Sequence, residues 1–314
     1  MCYQESRILQ FNQLVDLYLL QKKYQVKEST YSHYCWLANT HIRPYLGDFE
    51  IDDIDSITIE NFISFQIFKG RVNKDGGMSS KSVKDILSLL KSIIKYGYEK
   101  KLVKDNVISS VHAPKVIKKQ IEIFSEEERN IIENKAISSS DLYFGICLSL
   151  YTGLRLGELC ALKWGDIDME LKCLHVNRTI SRIIDIDSSE KRTKIIIDSP
   201  KSISSQRTIP IPQKIENCLI KRNPYNNNLY FLTGTEKYIE PRNYYEKYKK
   251  FLQMCGVEQH TFHALRHSFA TNCIEKGFDA KVLSEILGHA DVKITLERYV
   301  HPSLDRKRQC MNLL

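Results

Sequence analysis

No apolar run in the 314 residues approaches the roughly 20 that a membrane-spanning helix needs. The N-terminus, MCYQESRILQ, lacks the basic stretch followed by an apolar one that marks a signal peptide. No CxxC pair occurs: the nine cysteines (Cys2, Cys35, Cys147, Cys160, Cys173, Cys218, Cys255, Cys273 and Cys310) are dispersed and odd in number. That usage predicts free thiols in a reducing cytoplasm and argues against both a disulfide framework and a structural zinc site. There is no GxxxxGK followed by Ser or Thr, the loop that cradles nucleotide phosphates, and no HExxH. Internal repeats and low-complexity segments are also missing. What charge excess exists is thin. The formal net charge is +8, with 15 basic and 13 acidic side chains in residues 1–112, 3 and 1 in 113–123, and 28 and 24 in the rest. Such a balance permits nucleic-acid binding without demanding it.

What is present is enough apolar material, 42% of residues, for about two ordinary domains. The first hundred residues read as four helices. Leu9, Phe11, Leu14, Val15, Leu17, Tyr18 and Leu19 mark the first. Ser29 or Thr30 is the expected N-cap of the second, which runs to about Ile42 and is ended by Pro44 and Gly47. The third starts near Thr58. After an Asp75-Gly76-Gly77 loop, Ser79 or Ser80 opens the fourth, whose apolar face is Val83, Ile86, Leu87, Leu90, Ile93 and Ile94. Lys84, Lys91 and Lys95 stack along another side of it. A solvated lysine face and a helix lying against DNA phosphates share that pattern. Residues 112–123 read as an extended linker bearing Lys115, Lys118 and Lys119, with Pro114 breaking periodicity. The domains predicted are therefore 1–111 and 124–314. The second opens on a capping box at Ser125 and Glu128, continues with a helix over about 142–151, and carries a small antiparallel sheet within 170–211 before returning to helix near Ile215. The fold class is mainly α with a small antiparallel β-sheet in the second domain.

Four islands carry chemistry. In Thr152-Gly-Leu-Arg155-Leu-Gly-Glu158, an arginine and a carboxylate three apart share a helical face. A guanidinium fork can grip two phosphate oxygens while a carboxylate fixes its orientation, although an ordinary surface ion pair has the same spacing. In Ser199-Pro-Lys201-Ser, a lysine sits between two expected strands, either solvated or reaching into a cleft as a proton donor. In His263-Ala-Leu-Arg266-His267, His263 and Arg266 point the same way. His263 and His267 have metal-ligand spacing, but no third ligand is evident and Arg266 between them would repel a cation. Last, Leu287-Gly288-His289 is followed by Tyr299 ten residues after the histidine. One tyrosine among 17 means little alone.

In order, the islands read Arg, Lys, His-x-x-Arg, Gly-His, Tyr. The combination of RLGEL, HALRH and LGH with a spaced tyrosine resembles the tyrosine recombinase (phage integrase) family, and the likeness spans essentially the whole chain. The resemblance implies a helical core-binding domain joined to a catalytic domain, and a site-specific recombinase that cuts and rejoins DNA through a 3′-phosphotyrosyl intermediate, integrating, excising or inverting a DNA segment. It implies Tyr299 as nucleophile, Arg155 and Arg266 on the non-bridging oxygens, His263 in proton transfer, His289 on the phosphate, Lys201 as general acid and Glu158 in support. No cofactor and no metal are expected. The partners implied are double-stranded DNA, three further copies in a homotetramer on two DNA sites, and an accessory DNA-bending or directionality factor. Given the family, Lys84, Lys91, Lys95, Lys115, Lys118 and Lys119 are candidate phosphate contacts. With few residues ahead of the first helix, an additional arm-binding module is not expected, which favours a simple element integrase or an inversion enzyme. A monomeric type IB topoisomerase and a catalytically silent DNA-binding regulator are the alternatives.

Overall fold

The computed structural model describes residues 10–72, 74–104, 111–115, 121–186, 188, 193–199, 205–300, 307–308 and 311–312. The chain divides into two compact units, residues 1–119 with 183–194, and residues 120–182 with 195–314.

In the first unit, helices α1 (Phe11–Lys23), α2 (Glu28–Leu37), α3 (Arg43–Leu46), α4 (Ser56–Lys69) and α5 (Ser80–Glu99) surround one apolar core. The α5 face Val83, Ile86, Leu87, Leu90, Ile93 and Ile94 is buried as its periodicity predicts. Ser79 caps α5 by accepting from the Ser82 backbone N–H. Two expectations are corrected. Helix α2 starts at Glu28, ahead of Ser29 and Thr30, with Lys27 as N-cap and no side-chain cap bond; Glu28 supplies a negative charge to the first turn instead. Pro44 does not end the helix. The chain passes through a π-turn at Ala38–Ile42, where the Arg43 N–H donates to the Ala38 carbonyl, and Pro44 then lies in the first turn of α3, where a missing N–H costs nothing. Gly47 is the C-cap, so the ending falls where its glycine was expected. Helix α4 begins two residues before Thr58 because Asp55 accepts from the Thr58 backbone N–H. Within this unit Ser32 Oγ donates to the Ile184 carbonyl at 2.8 Å and Lys194 pairs with Glu28 at 2.8 Å.

The second unit opens with α6 (Glu126–Ile137), whose Ser125–Glu128 capping box is formed in both directions. Then come α7 (Asp141–Thr152) and α8 (Leu156–Ala161). Helix α7 is buried on nearly every side, through Phe144, Ile146, Cys147, Leu148 and Leu150, and forms the axis of the core. Strands β1 (Ile167–Asp168), β2 (Cys173–Val176) and β5 (Arg207–Pro210) make an antiparallel sheet in the order β1-β2-β5, with Val176 opposite Arg207. Strands β3 (Thr179–Ile184) and β4 (Thr193–Asp198) form a separate pair. Helices α9 (Gln213–Arg222), α10 (Pro241–Cys255), α11 (His263–Glu275), α12 (Ala280–Leu287) and α13 (Val292–Tyr299) follow. The return to helix is not continuous: residues 223–240 form turns and two bridges, Lys163 with Tyr230 and Tyr230 with Thr235. The segment Asn223-Pro-Tyr-Asn-Asn-Asn is turn-forming material. The seven described cysteines are free thiols, and burial pushes Cys147 up to about 12. Among the described residues no helix is long and apolar enough to cross a membrane.

Candidate active site

The site grows from the end of α12. Gly288 adopts φ 65°, the left-handed conformation that ends a helix, and its N–H and that of His289 fold back onto the α12 carbonyls of residues 284 and 285. The last carbonyls of a helix have no partner within it and carry its partial negative charge. Here three successive ones are taken by three arginines from three different elements. Arg207 Nε, on β5, donates to the Ile286 carbonyl at 2.6 Å. Arg266 Nη2, on α11, donates to the Leu287 carbonyl at 2.7 Å. Arg155 Nη2, at the N-cap of α8, donates to the Gly288 carbonyl at 3.3 Å.

A single buried carboxylate ties two of these together. Glu158 receives the Arg155 backbone N–H at 2.9 Å and Arg155 Nη1 at 2.6 Å, and both terminal nitrogens of Arg207 at 3.1 and 2.9 Å. Burial opposes its ionisation, but the Arg207 hydrogen bonds and the charges of Arg207 and Arg155 override it and hold the carboxyl at about 2. The Arg155–Glu158 spacing therefore marks a bidentate, buried anchor and not a surface ion pair. Arg266 is fully buried and also donates to the Gly153 carbonyl at 2.8 Å. That carbonyl is presented by Gly153 at φ 66°, where a Cβ would lie 2.8 Å from both Leu287 Cδ2 and Phe269 Cδ1. Burial, then the charges of Arg155 and Arg207, push the Arg266 guanidinium down to about 9, still cationic at neutral pH.

Three imidazoles and a phenol complete the cluster. Helix α11 places His263, Arg266 and His267 on one face, with the two histidine rings edge to face at 4.5 Å. Helix α13, capped by Asp291, places Thr295 and Tyr299 four residues apart, both buried. Thr295 Oγ1 lies 2.8 Å from His289 Nδ1, fixing that ring, which lies parallel to Tyr299 at 6.5 Å between centroids. The Tyr299 hydroxyl lies 2.7 Å from His267 Nδ1. Burial foremost, helped by neighbouring positive charge, lowers all three histidines: His263 and His267 to about 4 and His289 to about 3. All three are neutral at pH 7. Burial raises the Tyr299 phenol, against the pull of Arg266, Arg298 and Arg155.

Of the residues singled out from sequence, the structure brings together Arg155, Glu158, His263, Arg266, His289 and Tyr299. Lys201 lies outside the described residues, as do Lys118 and Lys119. On α5, Lys84 is exposed, Lys95 lies 3.7 Å from Glu99, and Lys91 Nζ donates to the Val111 carbonyl at 2.9 Å; Lys115 is exposed. The sequence does not mark Arg207, whose strand placement carries no periodic signal, and it marks His267 only by its metal-ligand spacing from His263. Among the described residues no three His, Cys, Asp or Glu side chains are grouped to hold a metal ion. The arrangement offers concentrated positive charge beside one phenol, a setting suited to an anionic phosphate ester and a nucleophile.

A family model described as phage integrase family matches residues 119–306, and one described as phage integrase, N-terminal SAM-like domain matches residues 10–66. The tyrosine recombinase XerC-like protein of Caldanaerobacter subterraneus subsp. tengcongensis is 32% identical over 298 residues, covering 87% of this chain and 75% of its own. The ICEBs1 integrase of Bacillus subtilis is 24% identical, over 99% of this chain and 84% of its own. In fold, the chain is similar to the Tn1549 transposon integrase in complex with a circular intermediate DNA (TM-score 0.77, 18% identity, 98% of this chain and 100% of that one). It is also similar to a lambda integrase tetramer bound to a Holliday junction (TM-score 0.66, 18% identity, 94% and 78%).

Proposed function

The chain belongs to the phage integrase family of tyrosine recombinases, and from that premise we propose that it cuts and rejoins DNA through a 3′-phosphotyrosyl intermediate on Tyr299, moving or inverting a segment of a mobile element. The observation that carries this reading is the convergence of Arg155, Arg207 and Arg266 on three consecutive carbonyls beside a buried Tyr299. A free phenol is a poor nucleophile at neutral pH. Arg155 and Arg266 would bind the non-bridging oxygens of the scissile phosphate and stabilise the charge of its pentacoordinate transition state. His289, its ring fixed by Thr295, would donate to the same phosphate, and His263 would assist proton transfer. Lys201 would protonate the departing 5′-oxygen. Glu158 positions Arg155 and Arg207. Because the phosphotyrosyl bond keeps the energy of the phosphodiester, rejoining requires no nucleotide hydrolysis and the residues named need no metal or cofactor.

In this reading residues 1–111 form a core-binding domain and 124–314 the catalytic domain, joined by 112–123. Four copies act on two sites of double-stranded DNA, with an accessory DNA-bending or directionality factor setting the outcome. The lambda integrase tetramer on a Holliday junction supports the stoichiometry, and the Tn1549 and ICEBs1 integrases support the mobile-element role. The test is to sequence across the gene's own genomic neighbourhood in cells expressing wild-type or Tyr299→Phe protein. New junctions present only with wild type are expected. Identical junctions in both samples would overturn the assignment of Tyr299.

A further inference from the structure

We infer that His267 is the group that accepts the Tyr299 phenolic proton, so that it is a catalytic residue in its own right and His263 stands one ring behind it. The inference rests on the proposed phosphotyrosyl chemistry and adds a residue to it. Its first support is contact: His267 Nδ1 lies 2.7 Å from the Tyr299 hydroxyl, within the range of a strong O–H···N hydrogen bond. A neutral imidazole has one lone-pair nitrogen, and in the tautomer with its lone pair on Nδ1 and its ring proton on Nε2 the phenol donates to His267. Its second support is placement. His267 is one helical turn along α11 from His263 and directly follows Arg266, so the helix that carries a proposed phosphate ligand also holds the nucleophile. His263 packs edge to face against the His267 ring, and it is His267 whose nitrogen meets the Tyr299 hydroxyl.

The surroundings make the acceptor sensitive to substrate. The charged and titratable groups facing His267 and Tyr299 are His263 and Arg266 from α11, Arg298 from α13, Arg155 from the α8 cap, and His289 ahead of α13. After burial, the arginines are what disfavour a proton on His267. A phosphodiester docked on those arginines cancels their charge, so the proton affinity of His267 rises when DNA is in place. The step balances. The phenol O–H bond breaks and an N–H bond forms at His267 Nδ1. The phenolate oxygen bonds to phosphorus as the P–O5′ bond breaks, and O5′ takes a proton from the general acid. On rejoining, the 5′-hydroxyl gives its proton back to the general acid as its oxygen bonds to phosphorus, the phosphotyrosyl P–O bond breaks, and His267 returns its proton to the departing Tyr299 oxygen.

The test measures covalent adduct formation by the full chain on nicked duplexes, chosen from a randomised library by their capture with wild-type protein. Wild type, His267→Asn and His267→Ala are followed from pH 6 to 9, with melting curves and DNA gel shifts confirming fold and binding. Asparagine can keep a hydrogen bond to the hydroxyl but cannot take its proton. The expected result is a loss of about 10²–10⁴-fold at pH 7 in both variants, with rates that climb about tenfold per pH unit while wild type changes little. A His267→Asn protein with the wild-type rate and pH profile would overturn the proton-acceptor assignment, whatever its melting temperature. If wild-type protein captures no duplex, the phosphotyrosyl reading itself fails, and the two failures are thereby distinct.

Discussion

Glu158 is the residue on which the geometry of the arginine cluster most depends. It is buried, and its partner Arg207 is buried with it, so removing the carboxylate leaves two guanidinium groups uncompensated. Glu158→Gln is expected to lower unfolding free energy by about 3–5 kcal/mol, the range for breaking one side of a buried ion pair, measured by chemical denaturation. The pH dependence follows from the direction of its shift. Its carboxyl is at about 2 in the folded chain against 4.5 for the ordinary side chain. The stabilisation is therefore fully present above pH 4.5 and is lost as pH falls towards 2, a contribution of roughly 3 kcal/mol by linkage. The neutral histidines act with the same sign, because the unfolded chain takes up their protons first: His263, His267 and His289 all cost stability as pH falls below about 6.5. Melting temperature should therefore decline steadily from pH 7 to pH 3, and less steeply for Glu158→Gln once the pH falls below 4.5. A flat profile in wild type would contradict the assigned ionisation states.

At the scale of elements, the end of α12 is the part that organises the others. Gly153 belongs to the same junction from the other side: its left-handed backbone turns a carbonyl onto Arg266, and Leu287 and Phe269 leave no room for a methyl group. Gly153→Ala is expected to cost roughly 1–3 kcal/mol through backbone strain and overpacking, and to lower recombination because Arg266 loses an anchor. On α5 the three lysines that share a sequence spacing do not share an environment. Lys84 is exposed, whereas Lys91 is committed to the Val111 carbonyl. If α5 lies against phosphates, Lys84→Ala reduces the slope of log affinity against log salt by about 1, read by DNA-binding titrations, while Lys91→Ala acts mainly on stability. These cases show what was legible in the sequence. Amphipathic spacing located α5 and its buried face, and the Ser125–Glu128 box located the start of α6, because both are local. The spacing of Arg155 and Glu158 announced their pairing for the same reason. Arg207 was not legible, since only the β2–β5 register brings it onto Glu158. His267 was visible as a histidine but not as a partner of Tyr299, because the meeting of α11 and α13 decides which nitrogen faces the hydroxyl.

For the whole molecule, two compact units and the family match agree with a protein that handles DNA with one unit bearing chemistry, and residues 183–194, which take in the end of β3 and the start of β4, join the first unit although they come from the second half of the sequence. The proposed tetramer makes a quantitative demand. If every strand exchange needs four active tyrosines, an equal mixture of wild-type and Tyr299→Phe protein should give about one-sixteenth of the wild-type product, since copies assemble at random. A fall to one-half would indicate protomers acting alone.

Every proposed step passes through a covalent bond between Tyr299 and DNA. That bond's most direct measurement is denaturing electrophoresis of the full chain after incubation with a randomised library of nicked duplexes, followed by mass spectrometry of the shifted band. The expected product is an adduct on Tyr299 that carries the 3′-phosphate side of the cut and leaves a free 5′-hydroxyl, with none from Tyr299→Phe. An adduct that persists in Tyr299→Phe, or a wild-type chain that forms none, would contradict it.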